Sequence, residues 1–264
     1  YIYILLLFFI MFINNFDPVA IEIFSLEIRW YSLSYIAGIL IGWLLAKYLF
    51  INDKNIKNQI DDYISYLIVG LILGGRIGYV LFYNLNYYLE NILDIFKIWQ
   101  GGMSFHGGVI GIIIASYLFA RKYKNNVFKY LDIIALVAPI GIFFGRIANF
   151  INSELYGQET SVPWAIQFVQ VDNLYRHPSQ LYEAALEGIL LFIILLYFWN
   201  KNYLEKSGNL SALFLIFYSF FKFIVEFFRV PDEQLGYLMF NLTMGQVISS
   251  IFFIFGVVLI FRKN

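Results

Sequence analysis

Long apolar runs separated by short polar stretches set the organisation of this chain. A helix spanning a bilayer needs about 20 mostly apolar residues. Runs close to that length begin near Leu33, Tyr63, Ser104, Tyr130, Gln180, Leu210 and Met244. The pattern predicts an all-α, polytopic membrane protein with about seven transmembrane helices. No polar linker divides the runs, so residues 1-264 read as a single transmembrane domain. The opening stretch, Tyr1 to Ile13, is also apolar, but it lacks a basic flank and an Ala-x-Ala site. It reads as an interfacial or truncated helix rather than a signal peptide, and a starting Tyr reads as a trimmed N-terminus.

Composition agrees with the runs. Hydrophobic residues make up 61% of the chain and charged residues 14%, against roughly 25% charged in an ordinary soluble domain. The formal net charge is +0, so no global basic field points to nucleic acid, and the placement of charge along the chain matters more. Cysteine is absent, which removes disulfides, thiolate metal ligands and a covalent cysteine intermediate.

Short loops rich in Lys and Arg are retained on the cytoplasmic side, and here the loops alternate. Lys54 and Lys57, then Arg121, Lys122, Lys124 and Lys129, then Lys201 and Lys206, then Arg262 and Lys263 fall on one side. The opposite loops hold Lys97, Arg176 and Arg229, besides Arg29 before the first span. The first set, with the C-terminus, is therefore expected in the cytoplasm. Polar clusters at 29-31, 104-106, 149-157, 176-177 and 229-233 then fall outside and predict a small outward-facing polar head. Transporters usually bind substrate near the midplane through broken helices, so polar weight at one interface favours an enzyme acting on outer-leaflet material.

Two segments look alike: DYISYLIVGLILGGRIGYVLFYN from Asp62 and DIIALVAPIGIFFGRIANFIN from Asp132. Asp62 precedes Arg76, and Asp132 precedes Arg146, by 14 residues; His106 and His177 follow those arginines by 30 and 31. Parallel repeats covering roughly 62-120 and 132-199 would explain this, as would chance recurrence in so biased a composition.

Arg146 lies roughly 24 Å along its helix at 1.5 Å per residue, near the expected outer headgroup level, and Arg76 sits at similar depth. A guanidinium in the membrane marks a function by default, and its fork suits a phosphate; the bland alternative for Arg76 is snorkelling to water. Arg146 is followed by Asn149, Asn152 and Glu154 in GRIANFINSELYG. Those residues suit either an anion site organised around Arg146 or a capped polar helix end. His106 stands in GGMSFHGGVIG, where an imidazole could take a proton near neutral pH, although a lone histidine in a Gly-rich loop is more often structural. His177, ahead of Pro178, could merely shape a helix start. Glu183 with Glu187, and Lys222 with Glu226, sit at i,i+4 spacing; both pairs read most simply as packing devices, Lys222 and Glu226 neutralising each other. Arg229 is a third candidate for a phosphate contact.

These motifs resemble one family, the bacterial prolipoprotein diacylglyceryl transferases. The runs that carry the resemblance are IRWYSLSY at 28-35, GGRIGYVLFYN at 74-84, GGMSFHGGVIG at 101-111 and GRIANFINSELYG at 145-157. RHPSQLYEAALEG at 176-188, VEFFRVPDEQLG at 225-236 and TMGQVIS at 243-249 complete the set. The loop between Gly157 and His177 is short for the family, and the N-terminal apolar stretch is not part of its pattern.

The resemblance implies transfer of a diacylglyceryl group from phosphatidylglycerol to the lipobox cysteine of preprolipoproteins, with a thioether formed and glycerol phosphate released. It implies a multi-pass protein of the inner membrane whose partners are phosphatidylglycerol, preprolipoprotein signal peptides and membrane lipids, without nucleic acid, cofactor or metal. His106, Arg146, Arg229 and Tyr31 are the expected catalytic set. Arg146, Asn149, Glu154, Gly157, Arg76, His177 and Glu183 are the expected substrate-binding residues. In that reading His106 accepts or relays the thiol proton, and Arg146, organised by Asn149 and Glu154, holds the phosphate with Arg229 opposite. A lipid flippase or solute transporter, and a structural scaffold, are the alternatives from other classes.

Overall fold

A computed structural model describes residues 12-24, 26-201, 206-231 and 236-261. The N-terminal stretch up to Met11, with Asp232, Glu233, Arg262 and Lys263, lies outside the described residues. In chain order the elements are β1 (Phe12–Asn14), β2 (Val19–Ile23), β3 (Leu26–Arg29), α1 (Trp30–Leu45), α2 (Lys54–Tyr83), α3 (Leu85–Glu90), α4 (Phe105–Lys122) and α5 (Val127–Ile151). There follow β4 (Ile166–Phe168), β5 (Tyr175–Arg176), α6 (Ser179–Asn200, with a wide π-type stretch at Ala184–Leu190), α7 (Asn209–Val225) and α8 (Met244–Ile260).

The protein is mostly helical, and the seven apolar runs that begin near Leu33, Tyr63, Ser104, Tyr130, Gln180, Leu210 and Met244 each lie on a helix. Among the described residues four helices are long and apolar enough to cross a membrane: Trp30–Phe50, Lys54–Tyr83, Val127–Ile151 and Ser179–Asn200. Asn209–Val225 and Met244–Ile260 are shorter apolar helices. The five short strands depart from the all-α expectation; strands of two to five residues are too short to leave a periodic signal. Phe12 and Ile13, expected in a helix, belong to β1.

The chain divides into two compact units, one of residues up to Leu45 together with those from Ile134, the other Ala46–Ile133. In the Ala46–Ile133 unit, α2 and α4 meet backbone to backbone. A Cβ on Gly111 would lie 2.0 Å from the Gly70 carbonyl oxygen, and one on Gly74 would lie 2.4 Å from that of Gly107. Small residues permit this approach where apolar burial between helices gives no drive in lipid. Toward the other end of the same helices Tyr63 and Phe119 form a buried aromatic cluster with Tyr130 from the first turn of α5, tied by Tyr63 Oη to Ser116 Oγ at 2.8 Å and by Tyr130 Oη donating to Gln59 at 2.6 Å.

The other unit contains β1 parallel to β4, β4 antiparallel to β5, and a β2–β3 hairpin. The buried Asn14 fixes the small sheet to α5, donating through Nδ2 to the Phe150 carbonyl at 2.6 Å while its own carbonyl accepts from Val169. Phe12, Phe16, Phe150 and Phe168 close around that junction.

Candidate functional site

In the larger unit the GRIANFINSELYG run divides into a helix end and a returning loop. Helix α5 stops at Ile151, and Ser153 and Leu155 turn the chain with φ of 56° each. Asn149 Nδ2 donates to Glu154 at 3.1 Å and Asn152 Nδ2 donates to the other oxygen at 3.4 Å, so Glu154 is held by the two amides that precede it. The loop carbonyls are met by the buried start of α6: Gln180 donates to the Glu154 carbonyl at 2.6 Å and Ser179 to the Leu155 carbonyl at 2.8 Å. The RHPSQ sequence therefore supports the loop.

Gly157 lies where three backbone segments meet. Its N–H donates to the His177 carbonyl at 2.9 Å, it bridges Arg229, and the neighbouring Gln158 N–H donates to the Phe228 carbonyl at 2.8 Å. A Cβ at 157 would stand 2.4 Å from the His177 oxygen and 2.7 Å from that of Phe228. No side chain fits there. His177 Nδ1 lies 3.0 Å from Tyr182 Oη, Tyr182 Oη accepts from Trp164 Nε1 at 2.7 Å, and burial pushes the imidazole below its ordinary pKa. Arg176 clamps Asp172 with Nη2 at 2.5 Å and Nε at 3.2 Å, holding that carboxyl below the usual range, and stacks 4.9 Å from the Tyr156 ring centroid.

Beneath this loop runs a connected set of charges. Arg146 Nε is 3.1 Å from Glu183 Oε2, and Nη2 is 3.6 Å from Glu187 Oε2. Both carboxylates are fully buried on α6, where the wide turn begins between them. Lys222 of α7 donates to Glu183 Oε1 and lies 2.9 Å from Glu226 Oε1. Glu226 in turn accepts from Arg229 at 3.1 Å and from Thr243 Oγ1 at 2.7 Å. Three cations thus alternate with three carboxylates, so that each buried charge faces one of opposite sign and the cost of its desolvation is offset. The arginine side chains keep 18% and 13% of their surface exposed.

The sequence sets Asn149 and Glu154 close after Arg146, whereas in the structure they bond to each other and the carboxylate partners of Arg146 are Glu183 and Glu187. The i,i+4 spacing of Lys222 and Glu226 suggests a self-contained pair, whereas Lys222 also reaches across to α6. The i,i+4 spacings were visible; the rotation of α6 and α7 that makes them meet was not. Tyr31 stands in the first turn of α1 with its ring edge-on to Tyr35 at 5.2 Å.

Arg76 and His106 belong to the Ala46–Ile133 unit. Arg76 does not snorkel. It is 4% exposed and donates from Nε to Ile95 O at 2.8 Å, from Nη1 to Gly101 O and Gly102 O at 2.6 and 3.1 Å, and from Nη2 to Asp94 O and Lys97 O at 2.5 and 3.4 Å. Its fork is engaged by backbone carbonyls rather than presented to an anion. His106 is exposed at the second position of α4, just after Ser104, whose hydroxyl caps the helix by accepting from Gly107 N–H at 3.2 Å. Among the described residues no group of three or more His, Cys, Asp or Glu could hold a metal ion.

A sequence profile described as prolipoprotein diacylglyceryl transferase matches residues 18-262. The chain belongs to that family. Among relatives of this prolipoprotein diacylglyceryl transferase family, the protein of Rickettsia felis, named phosphatidylglycerol–prolipoprotein diacylglyceryl transferase, is 49% identical over 254 residues, covering 95% of this chain and 98% of its own. The protein of the same name from Rickettsia typhi is 49% identical over 96% of this chain and 99% of its own. That of Rickettsia canadensis is 50% identical over 96% and 99%. The family profile takes in the GRIANFINSELYG loop and the residues of the charge chain, 146 to 243.

Proposed function

We propose that this membrane protein is a transferase that moves the diacylglyceryl group of phosphatidylglycerol to the lipobox cysteine thiol of prolipoproteins, the first step of lipoprotein modification. Family membership supports the reaction. The observation that carries the mechanism is the buried charge chain, which sets two partly exposed guanidinium groups, Arg146 and Arg229, on one run of alternating ions.

In the reaction the thiol gives up its proton, its sulfur attacks the glyceryl carbon and the carbon–oxygen bond to phosphate breaks, so that the phosphodiester of the lipid is split and glycerol phosphate leaves as a monoester. Charge grows on the departing phosphate oxygen, so fixed cations there lower the barrier more than they tighten substrate. Arg146 and Arg229 are assigned that role. A free thiol has pKa near 8.5, so a base must take its proton, and His106 is assigned as acceptor or relay. Tyr31, Asn149, Glu154, Gly157, His177 and Glu183 are assigned to the site with Arg146 and Arg229, Glu183 holding Arg146 and Asn149 holding Glu154, and Arg76 is assigned to hold the 94-102 backbone of its own unit.

The same reading has seven spans, the polar loops and the reaction on the outward side of the inner membrane, the C-terminus in the cytoplasm, and the signal peptide approaching as a helix from the bilayer. Segments 62-120 and 132-199 are read as parallel repeats of one catalytic membrane domain, which superposition of the two tests. The deciding experiment is mass spectrometry of a lipobox peptide incubated with purified protein and phosphatidylglycerol. A diacylglyceryl mass gain on cysteine, lost with His106→Ala and with Arg146→Ala, is expected; no gain with folded, lipid-binding wild type refutes the reading.

A further inference from the structure

Lys222 is the one cation of the buried chain that touches two carboxylates from different helices, Glu183 on α6 and Glu226 at the end of α7. Each of those carboxylates also holds one arginine: Glu183 holds Arg146 and Glu226 holds Arg229. Remove the Lys222 charge and three carboxylates face two guanidinium groups. The cluster then becomes net negative where an anionic lipid headgroup has to bind.

We infer that Lys222 is a positioning residue for phosphatidylglycerol: by sharing its charge between Glu183 and Glu226, it leaves Arg146 and Arg229 with positive potential to spend on the lipid phosphate. This rests on the proposed function, from which the anion is taken. Its surroundings fit a fixed role. Lys222 is 9% exposed, and Glu226 is locked from its far side by Thr243, the residue that caps α8 through a reciprocal bond with Gln246. Gly245 makes room for the carboxylate, since a Cβ there would stand 2.5 Å from Glu226 Cδ. Charges a few ångströms apart in a water-poor site interact far more strongly than at the surface, so one missing charge changes anion affinity by roughly tenfold or more.

The test titrates detergent-solubilised full-length protein with phosphatidylglycerol, and with phosphatidylcholine as neutral control, counting bound lipid by native mass spectrometry. Lys222→Met is expected to bind phosphatidylglycerol at least tenfold more weakly with phosphatidylcholine binding unchanged. Lys222→Arg, which keeps the charge, and Lys222→Met/Glu226→Gln, which removes one charge of each sign, are expected within about threefold of wild type. A Lys222→Met protein that binds phosphatidylglycerol like wild type overturns the inference. So does a charge-balanced double variant no better than Lys222→Met, or, where Lys222→Met does not fold, a double variant that has lost affinity tenfold. The peptide-transfer assay on wild type is the separate arm: failure there refutes the proposed reaction, whereas the lipid titration judges Lys222.

Discussion

At the scale of single residues, charge alone does not tell the roles of the arginines apart. Arg76 and Arg146 occupy matching places in two similar stretches of sequence, yet one guanidinium is engaged by backbone carbonyls and the other faces buried carboxylates. Replacing each by Lys separates them, because Lys keeps the charge and loses the planar fork. Arg146→Lys is expected to lower kcat for transfer at least tenfold with the melting temperature little changed. Arg76→Lys is expected to act on stability instead. It forfeits several charged hydrogen bonds to carbonyls that stay buried, a loss of about 3 kcal/mol, seen as an earlier unfolding transition. Full activity in the Arg146→Lys protein would show that the planar fork of Arg146 is not needed at the phosphate.

At the scale of elements, two contacts depend on the absence of a side chain. The α2–α4 seam closes on Gly70, Gly74, Gly107 and Gly111, so Gly111→Leu must force the helices apart; it is expected to lower the yield of folded protein and raise amide exchange in both helices. The loop between α5 and α6 depends on the Arg176–Asp172 clamp. Because Asp172 is held below its ordinary pKa, the clamp stabilises the loop above the usual Asp value and is lost as pH falls through the lowered one. Proteolytic protection of segment 157-177 should therefore persist at pH 6 and fall away only below about pH 4. Asp172→Asn should show weakened protection at both pH values; an unchanged pH response in that variant would remove the clamp from the account.

At the scale of the whole molecule, the distribution of basic loops makes a directional claim. The chain lacks cysteine, so a single introduced thiol reports its own side of the membrane. Lys124→Cys is expected to react with an impermeant maleimide only after the inner face is opened, and Asn173→Cys from outside in intact cells. The opposite labelling would invert the proposed orientation and place the polar loops away from the outer leaflet.

The sequence by itself determined what depends on neighbours along the chain. The apolar runs mark the helices because each helix satisfies its own backbone hydrogen bonds, a local requirement in lipid. The GRIANFINSELYG, GGMSFHGGVIG and RHPSQ runs named the family because their spacing is itself sequence. Tertiary structure alone decided which groups meet across elements. The Lys222 bond to Glu183 depends on how α6 and α7 are rotated and set in depth, and the engagement of Arg76 depends on where the 94-102 backbone returns. The crowding at Gly157 depends on backbone from three separate segments. The pairing of residues 12-14 with 166-168 joins segments more than 150 residues apart. Such contacts follow from the relative placement of elements, which no local periodicity encodes.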